Sequence, residues 1–374
     1  MKKIVKLVSL VLVAVLLVSL TACAKTIPHT GDTDNKNMTV ITDHAGNTVE
    51  VPKKIERIAI CNIFPVPSVL SVFFNSAEKI VGMDKASMIS AQNSLLSELY
   101  PEILKAEPGY IDGTNLNIEE LMKLKPDVVI YNAANEAIGK TLRDAGLCAV
   151  ALAVNKWEYD AIETLNQWID LFSQMFPSND RVDTVKKYSN AVYQKVQDRV
   201  KDLPENERQR IFFLFQYSES NMATSGAHFF GQWWADAIGA INVGEEIDTD
   251  NSVVVNMEQV YDWNPQQILI TNFTTAQPED LYENTLSGYD WSEIDAVKNE
   301  KVHKMPLGMY RSYTCGVDTP VTLLWMAKTV YPELFSDIDI TAETQKYYKD
   351  VFGITLTVKQ AESIFAPSSD ASAF

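Results

Sequence analysis

The sequence contains one short pattern twice. NIEELMKLKPDVVI begins at Asn117, and NMEQVYDWNPQQILI begins at Asn256, 139 residues further on (256 minus 117). Each copy has Asn first, Glu two places on and Pro nine places on, followed by an apolar run. Asn favours a helix N-cap, and an apolar run bounded by turn residues is typical of a buried strand. The repeat therefore predicts two lobes of similar construction.

Chain length and net charge restrict the number of domains and the possible partners of the protein. A chain of 374 residues exceeds one average domain, and 46% hydrophobic residues indicate an ordinary folded protein. The formal net charge is −17. An acidic surface repels phosphate backbones and anionic lipids, so we expect no nucleic-acid partner.

The N-terminus has the features of an exported protein. Basic Lys2, Lys3 and Lys6 precede an apolar run that ends at Leu20 and is too short for the ~20 residues of a membrane-spanning helix. The sequence Leu-Thr-Ala-Cys at 20–23 resembles the bacterial lipobox, in which Cys23 becomes the lipid-carrying first residue of the mature chain. An ordinary signal with a chance cysteine is the alternative. We expect the signal at residues 1–22 and the lipid anchor and flexible tether at 23–50.

The rest of the chain predicts an α/β fold. Short apolar runs alternate with amphipathic helices, which argues for mostly parallel sheets flanked by helices. Apolar residues at helical spacing near 182–200 predict one long helix that joins the lobes. The predicted division is an N-terminal lobe at 51–158, a helical connector at 159–203 and a C-terminal lobe at 204–374.

In each copy of the repeat the Glu falls in the first turn of the predicted helix. These residues are Glu119 and Glu258, and Glu120 or Gln259 one place later is positioned to complete a capping box. A carboxylate there stabilises a helix by interaction with the helix dipole. Its occurrence in two equivalent lobes also indicates a spaced pair of carboxylates on one edge of the molecule.

Beyond Cys23 the chain resembles a known family along nearly its whole length. VITDHAGNTVEVPKKIERIAI, LMKLKPDVVIYN and the closing helices from TLLWMAKTVYPELF onward resemble solute-binding lipoproteins of ATP-binding cassette (ABC) importers for ferric siderophores, haem and cobalamin. The resemblance implies two lobes joined by one helix. It also implies a lipid-anchored monomer outside the cytoplasmic membrane and docking of Glu119 and Glu258 on a permease dimer that works with a cytoplasmic ATPase.

Loops that follow predicted strands supply the expected ligand contacts, because the carboxyl ends of parallel strands open onto the ligand crevice. Aromatic faces with one cation suit an anionic metal chelate such as a ferric siderophore, haem or corrinoid. No resident cofactor or protein-bound metal is expected. The predicted ligand-binding residues are Asn62, Lys85, Trp157, Phe230, Trp233, Tyr310, Arg311 and Tyr313.

Other readings of the sequence are weaker. A bare metal ion needs several converging His or carboxylate ligands, and two of the four histidines, His29 and His44, lie near the predicted tether. A receptor for a bare metal or small anion is the second reading. A cell-surface hydrolase is third, since there is no G-x-S-x-G, P-loop or H-E-x-x-H motif. The cysteines show no zinc-site spacing, and a bridge between Cys61 and Cys315 stays open.

We expect Cys23 to be lipidated. Globomycin, which blocks lipoprotein signal processing, should leave residues 1–22 attached and raise the apparent mass of the protein. A freely secreted, unmodified protein in untreated cells would contradict this.

Overall fold

A computed structural model describes residues 37–177 and 181–372. The predicted signal, Cys23 and the tether as far as residue 36 lie outside the described residues. No helix in the described part of the chain is long and apolar enough to cross a membrane.

The described chain begins with a two-stranded sheet of β1 (Met38–Thr42) and β2 (Thr48–Pro52). In the turn, Asp43 Oδ1 accepts the backbone N–H groups of Ala45 at 3.0 Å and Asn47 at 2.8 Å. Asp43 Oδ2 accepts the N–H of Ala151 at 3.0 Å, and the N–H of His44 donates to the Ala151 carbonyl at 3.1 Å. Residues 38–50 are therefore part of the fold, which corrects the predicted tether at 23–50.

The N-terminal lobe has a parallel four-stranded sheet, as predicted. Its strand order is β4-β3-β7-β8, and every residue of β3 and β8 is buried. Buried faces on both sides explain why these strands are apolar throughout. The strands of this lobe are β3 (Ile58–Cys61), β4 (Ile80–Gly82), β5 (Ile111–Asp112), β6 (Asn115–Leu116), β7 (Val128–Asn132) and β8 (Ala149–Leu152). Its helices are α1 (Val66–Phe74), α2 (Lys85–Gln92), α3 (Leu95–Leu99), α4 (Ile118–Lys123) and α5 (Glu136–Asp144), with a 3-10 turn at Pro101–Lys105.

Two helices connect the lobes. They are α6 (Ala161–Met175) and the long α7 (Arg181–Val200), which agrees with the predicted connecting helix. Lys186 of α7 pairs with Asp170 of α6, and Arg199 near its other end forms a two-point ion pair with Asp337 at 2.6 and 2.9 Å. The long helix is thus tied to its surroundings near both ends.

The C-terminal lobe repeats the sheet of the first lobe. Its parallel strands lie in the order β12-β9-β14-β15, and β10, β11 and β13 form a separate antiparallel sheet. The strands are β9 (Arg210–Leu214), β10 (Gln216–Ser218), β11 (Asn221–Ser225), β12 (Ile241–Asn242), β13 (Ser252–Val254), β14 (Gln267–Ile270) and β15 (Val302–Lys304). The helices are α8 (Phe230–Ala237), α9 (Met257–Trp263), α10 (Pro278–Tyr282), α11 (Asp295–Lys298), α12 (Thr319–Val330), α13 (Ile340–Tyr347) and α14 (Val358–Ser363). The remaining turns are 3-10 turns at Glu205–Glu207 and Ser369–Ser372 and a π turn at Tyr348–Phe352.

The sequence repeat is a structural repeat. After α4 and α9 the chain passes through a left-handed residue, Lys125 at φ 48° or Asn264 at φ 39°, and then a proline. The side chain of the residue after that proline forms a hydrogen bond that joins the following strand to the start of β3 or β9. Asp127 Oδ2 accepts the N–H of Arg57 at 2.9 Å, and Gln266 Oε1 accepts the N–H of Arg210 at 3.0 Å.

The described cysteines are free, so no Cys61–Cys315 bridge forms. Both side chains are buried in the protein. Burial raises the pKa of each thiol well above its usual value, which keeps the two sulfurs protonated and unreactive.

Candidate functional site

A cavity of about 370 Å³ lies between the lobes, where the strands of both parallel sheets end. This is the position expected for a ligand crevice in parallel sheets. Residues from both lobes line it: Asn62, Ile63, Phe64, Pro65, Asn132, Ala134, Val154, Asn155, Tyr159 and Trp168 from the N-terminal side, and Phe215, Phe229, Phe230, Asn251, Phe273, Thr314 and Cys315 from the C-terminal side.

The lining is aromatic and rich in carboxamides. Seven of the lining residues are Phe, Tyr or Trp and four are Asn, whereas none of the described lining residues carries a formal charge. Trp168 is fully buried, and its Nε1–H donates to the Ala153 carbonyl at 2.6 Å. Its ring is therefore held at the cavity wall, where a bound ligand would alter its fluorescence.

The loop after β3 is held by a buried carboxyl group. Asn62 has a φ of 58°, and its N–H donates to Asp84 Oδ1 at 3.2 Å and Oδ2 at 3.0 Å. Asn132 Nδ2 in turn donates to the Asn62 carbonyl at 3.3 Å. Burial raises the pKa of Asp84 to about 7, although the N–H groups of Asn62 and Asp84 oppose this rise. Asp84 thus positions two of the four cavity asparagines.

Tyr159 joins the lobes across one wall of the cavity. Its ring packs edge-on against Phe229 and Phe230, with ring centres 5.1 and 4.7 Å away, and its hydroxyl donates to the Asp250 carbonyl at 3.1 Å. Glu158 and Tyr159 have φ values of 53° and 56°. Two adjacent non-glycine residues in the left-handed region are strained, and such strain is common in functional loops.

The predicted ligand-binding residues divide into four groups, of which three are as follows. Asn62 and Phe230 line the cavity. Trp157 and Trp233 instead line a second cavity of about 300 Å³, which shares Phe229 with the first. Lys85, the first residue of α2, is exposed and lines neither of these two cavities.

Tyr310, Arg311 and Tyr313 are buried and do not line the cavity. Their exposed fractions are 4%, 1% and 0%. Arg311 Nε donates to the Ala371 carbonyl at 3.2 Å, and its guanidinium lies 5.2 Å from the centre of the Phe273 ring. The structure therefore does not bring these three side chains to the cavity, and the C-terminal turn packs over Arg311.

Several lining residues were not among the predicted contacts. Asn132 is the last residue of β7, and Asn155 and Tyr159 lie in the loop after β8, so their position at a strand end was the available signal. Phe215 and Phe273 follow β9 and β14 in the same way. His44, expected near the tether, packs against Trp157 with ring centres 5.0 Å apart.

The two repeated glutamates are exposed. In the second copy Asn256 and Gln259 form a complete capping box at 3.0 and 3.1 Å. In the first copy Asn117 accepts the Glu120 N–H at 3.1 Å, but the Glu120 side chain pairs with Lys123 instead, so the predicted box is half formed. Among the described residues no ion pair or hydrogen bond engages the side chain of Glu119 or Glu258. Both carboxylates face solvent.

Comparison with known proteins identifies the family. The periplasmic binding protein family model matches residues 76–307. The chain belongs to this family. Its members include the solute-binding proteins of ABC importers, and the two-lobed fold agrees with this assignment.

Three similar proteins illustrate the relationship. The molybdate-binding protein MolA of Haemophilus influenzae is 26% identical over 338 residues, covering 84% of this chain and 90% of MolA. YvrC of Bacillus subtilis, an uncharacterised ABC transporter substrate-binding lipoprotein, is 24% identical over 305 residues and covers 80% of this chain and 87% of its own. The crystal structure of a periplasmic solute-binding protein from Veillonella parvula superposes with a TM-score of 0.77 at 27% identity, covering 88% of this chain and 97% of that one.

We expect Asp84 to make stability depend on pH. Its pKa of about 7 in the folded protein exceeds the value of about 4 for an unfolded Asp. Between those pH values the unfolded chain ionises while the folded chain keeps its proton, so the free energy of unfolding falls as pH rises. Asp84→Asn cannot ionise and should gain stability relative to the parent from pH 4 to 7, by on the order of a few kcal/mol.

Urea unfolding of both proteins at several pH values measures this difference. Asp318, whose pKa burial raises to about 6, is present in both proteins, so its contribution cancels. A difference that stays constant with pH would show that Asp84 is ionised in the folded state.

Proposed function

We propose that this protein captures a small organic metal chelate, such as a ferric siderophore, haem or corrinoid, and delivers it to an ABC importer. The observation that supports this is the cavity between the lobes, with its aromatic and carboxamide lining and no charged group among its described lining residues. In a chelate such as a ferric hydroxamate the metal's charge is neutralised by its own ligands. Such a molecule needs apolar faces and a few hydrogen-bond donors rather than protein charges.

A bare transition metal fits the site less well. Binding one directly needs several His, Cys or carboxylate groups close together. No cluster of three or more such side chains with suitable geometry occurs within residues 37–177 and 181–372.

Molybdate is the second candidate, and the likeness to MolA favours it. Asparagine amides are neutral donors that suit an oxyanion, and the cavity has four of them. A five-atom oxyanion would leave much of a 370 Å³ cavity to solvent. The size of the cavity therefore favours the organic chelate.

In this proposal the residues predicted from sequence act at different distances from the ligand. Asn62 and Phe230 contact it directly, whereas Arg311 supports the Phe273 ring from behind. Trp157, Trp233 and Lys85 lie outside this contact surface. Lipidation at Cys23 would hold the protein at the outer face of the cytoplasmic membrane, close to the importer.

Replacing the carboxamides should weaken capture. Asn155→Ala and Asn251→Ala, one from each lobe, should each reduce affinity about 3- to 10-fold, the effect of losing one neutral hydrogen bond. Asn190→Ala on the exposed face of α7 is the matched control and should bind like the parent.

Tryptophan fluorescence, to which Trp168 contributes at the cavity, measures binding. The probes are ferric catecholate and hydroxamate chelates, haemin, cyanocobalamin and sodium molybdate. If molybdate is the only probe that binds, the ligand is an oxyanion and the proposal of an organic chelate is refuted. Unchanged affinity of both variants for the probe that binds would place the ligand outside this cavity.

Glu119 and Glu258 should serve docking rather than capture. Each would meet a cationic group on one half of the permease dimer. Changing both to Ala should reduce uptake to background while ligand affinity stays within about 3-fold of the parent, since neither residue lines the cavity.

Asp112→Ala combined with Asp262→Ala removes one exposed carboxylate from each lobe and is the matched control. This control should transport normally. Equal loss of uptake in the control would show that overall negative charge, rather than these two positions, drives docking.

A further inference from the structure

Each lobe exposes a large apolar side chain three residues after its unpaired glutamate. Met122 follows Glu119 in α4 and is 49% exposed, and Tyr261 follows Glu258 in α9 and is 41% exposed. Residues three apart on a helix are neighbours on its surface. The carboxylate and the apolar group of each lobe therefore form one small patch.

The two patches occupy equivalent positions in the two lobes, which chance exposure of single apolar residues does not explain. Single exposed apolar residues are normal on protein surfaces, and nine large ones occur among the described residues. Two of the nine occupy the same position in the 139-residue repeat (261 minus 122), and the residue before each of them, Leu121 or Val260, is fully buried. The helices are thus oriented alike, with matching faces outward.

The contacts of neighbouring residues leave the glutamate and the apolar side chain of each patch exposed. Lys123 pairs with Glu120, so the cation beside Met122 does not neutralise Glu119. The Tyr261 hydroxyl donates to the Asp290 carbonyl at 2.7 Å, which fixes the ring in its exposed position. Each patch therefore presents one negative charge next to apolar surface.

We infer that Met122 and Tyr261 belong to the permease-docking surface and that each half of the partner offers a cation beside an apolar hollow. This inference rests on the proposed docking of Glu119 and Glu258. A partner with two identical halves presents the same hollow twice, so one hollow accepts both Met and Tyr. Buried aromatic and methionine side chains commonly provide the binding energy at interface centres, while the charges provide orientation.

The test measures affinity for the importer complex in lipid nanodiscs, using the complex that photo-crosslinks to the full-length parent protein. Met122→Ser with Tyr261→Ser should weaken binding at least about 10-fold. Leu104→Ser with Val358→Ser removes one exposed apolar side chain from each lobe elsewhere and should leave affinity unchanged. The exchange of Met122→Tyr with Tyr261→Met should also bind like the parent.

The outcomes separate this inference from the proposed function. If Glu119→Ala with Glu258→Ala weakens binding but the serine pair does not, the apolar contribution is refuted and docking by the glutamates stands. If neither pair changes the affinity, both proposals fail. If the protein with Met122→Tyr and Tyr261→Met binds as poorly as the double serine variant, the two halves of the partner do not present identical hollows. Thermal unfolding of every variant must match the parent for the comparison to hold.

Discussion

The fold of each lobe depends on an equivalent set of hydrogen bonds to the backbone of its first parallel strand. In each, a residue that follows a left-handed turn and a proline exchanges hydrogen bonds with the first strand of its lobe. The backbone N–H of Asp127 donates to the Arg57 carbonyl at 2.8 Å, and that of Gln266 donates to the Arg210 carbonyl at 2.9 Å. Each side chain accepts an N–H in return. These bonds set the register of β7 on β3 and of β14 on β9, and a strand shifted by one residue would expose its buried face.

The parallel sheets and the long connecting helix were predictable because their signals are local. Strands buried on both faces are continuously apolar, and the helices repeat their apolar positions every three or four residues. The hairpin of β1 and β2 and the antiparallel sheet of β10, β11 and β13 were not predicted. β1, β2 and β10 are short and partly exposed, and the turn of the hairpin is held by Ala151, 108 residues away in the chain.

The cavity was predictable in location but only partly in composition. Strand ends identify the loops that face it, and Asn62, the residue after β3, lines the cavity. The same rule pointed to Arg311, which follows β15 but is covered by the turn at Ser369–Ser372. That contact joins residues 60 apart in the chain, and no local pattern reports it. A rule based on strand ends selects loops without showing what packs over them.

The residues proposed for capture and those proposed for docking come from the same structural unit. A helix that precedes a parallel strand runs antiparallel to it, so the start of the helix and the end of the strand lie at the same edge of the sheet. Glu119 at the start of α4 and Asn132 at the end of β7 are therefore fixed to one rigid element, and Glu258 and the residues after β14 are fixed to its counterpart. A hinge rotation that moves the strand ends of the two lobes apart widens the cavity and separates the two glutamates together. One movement at the connector would thus alter both the ligand site and the surface presented to a partner.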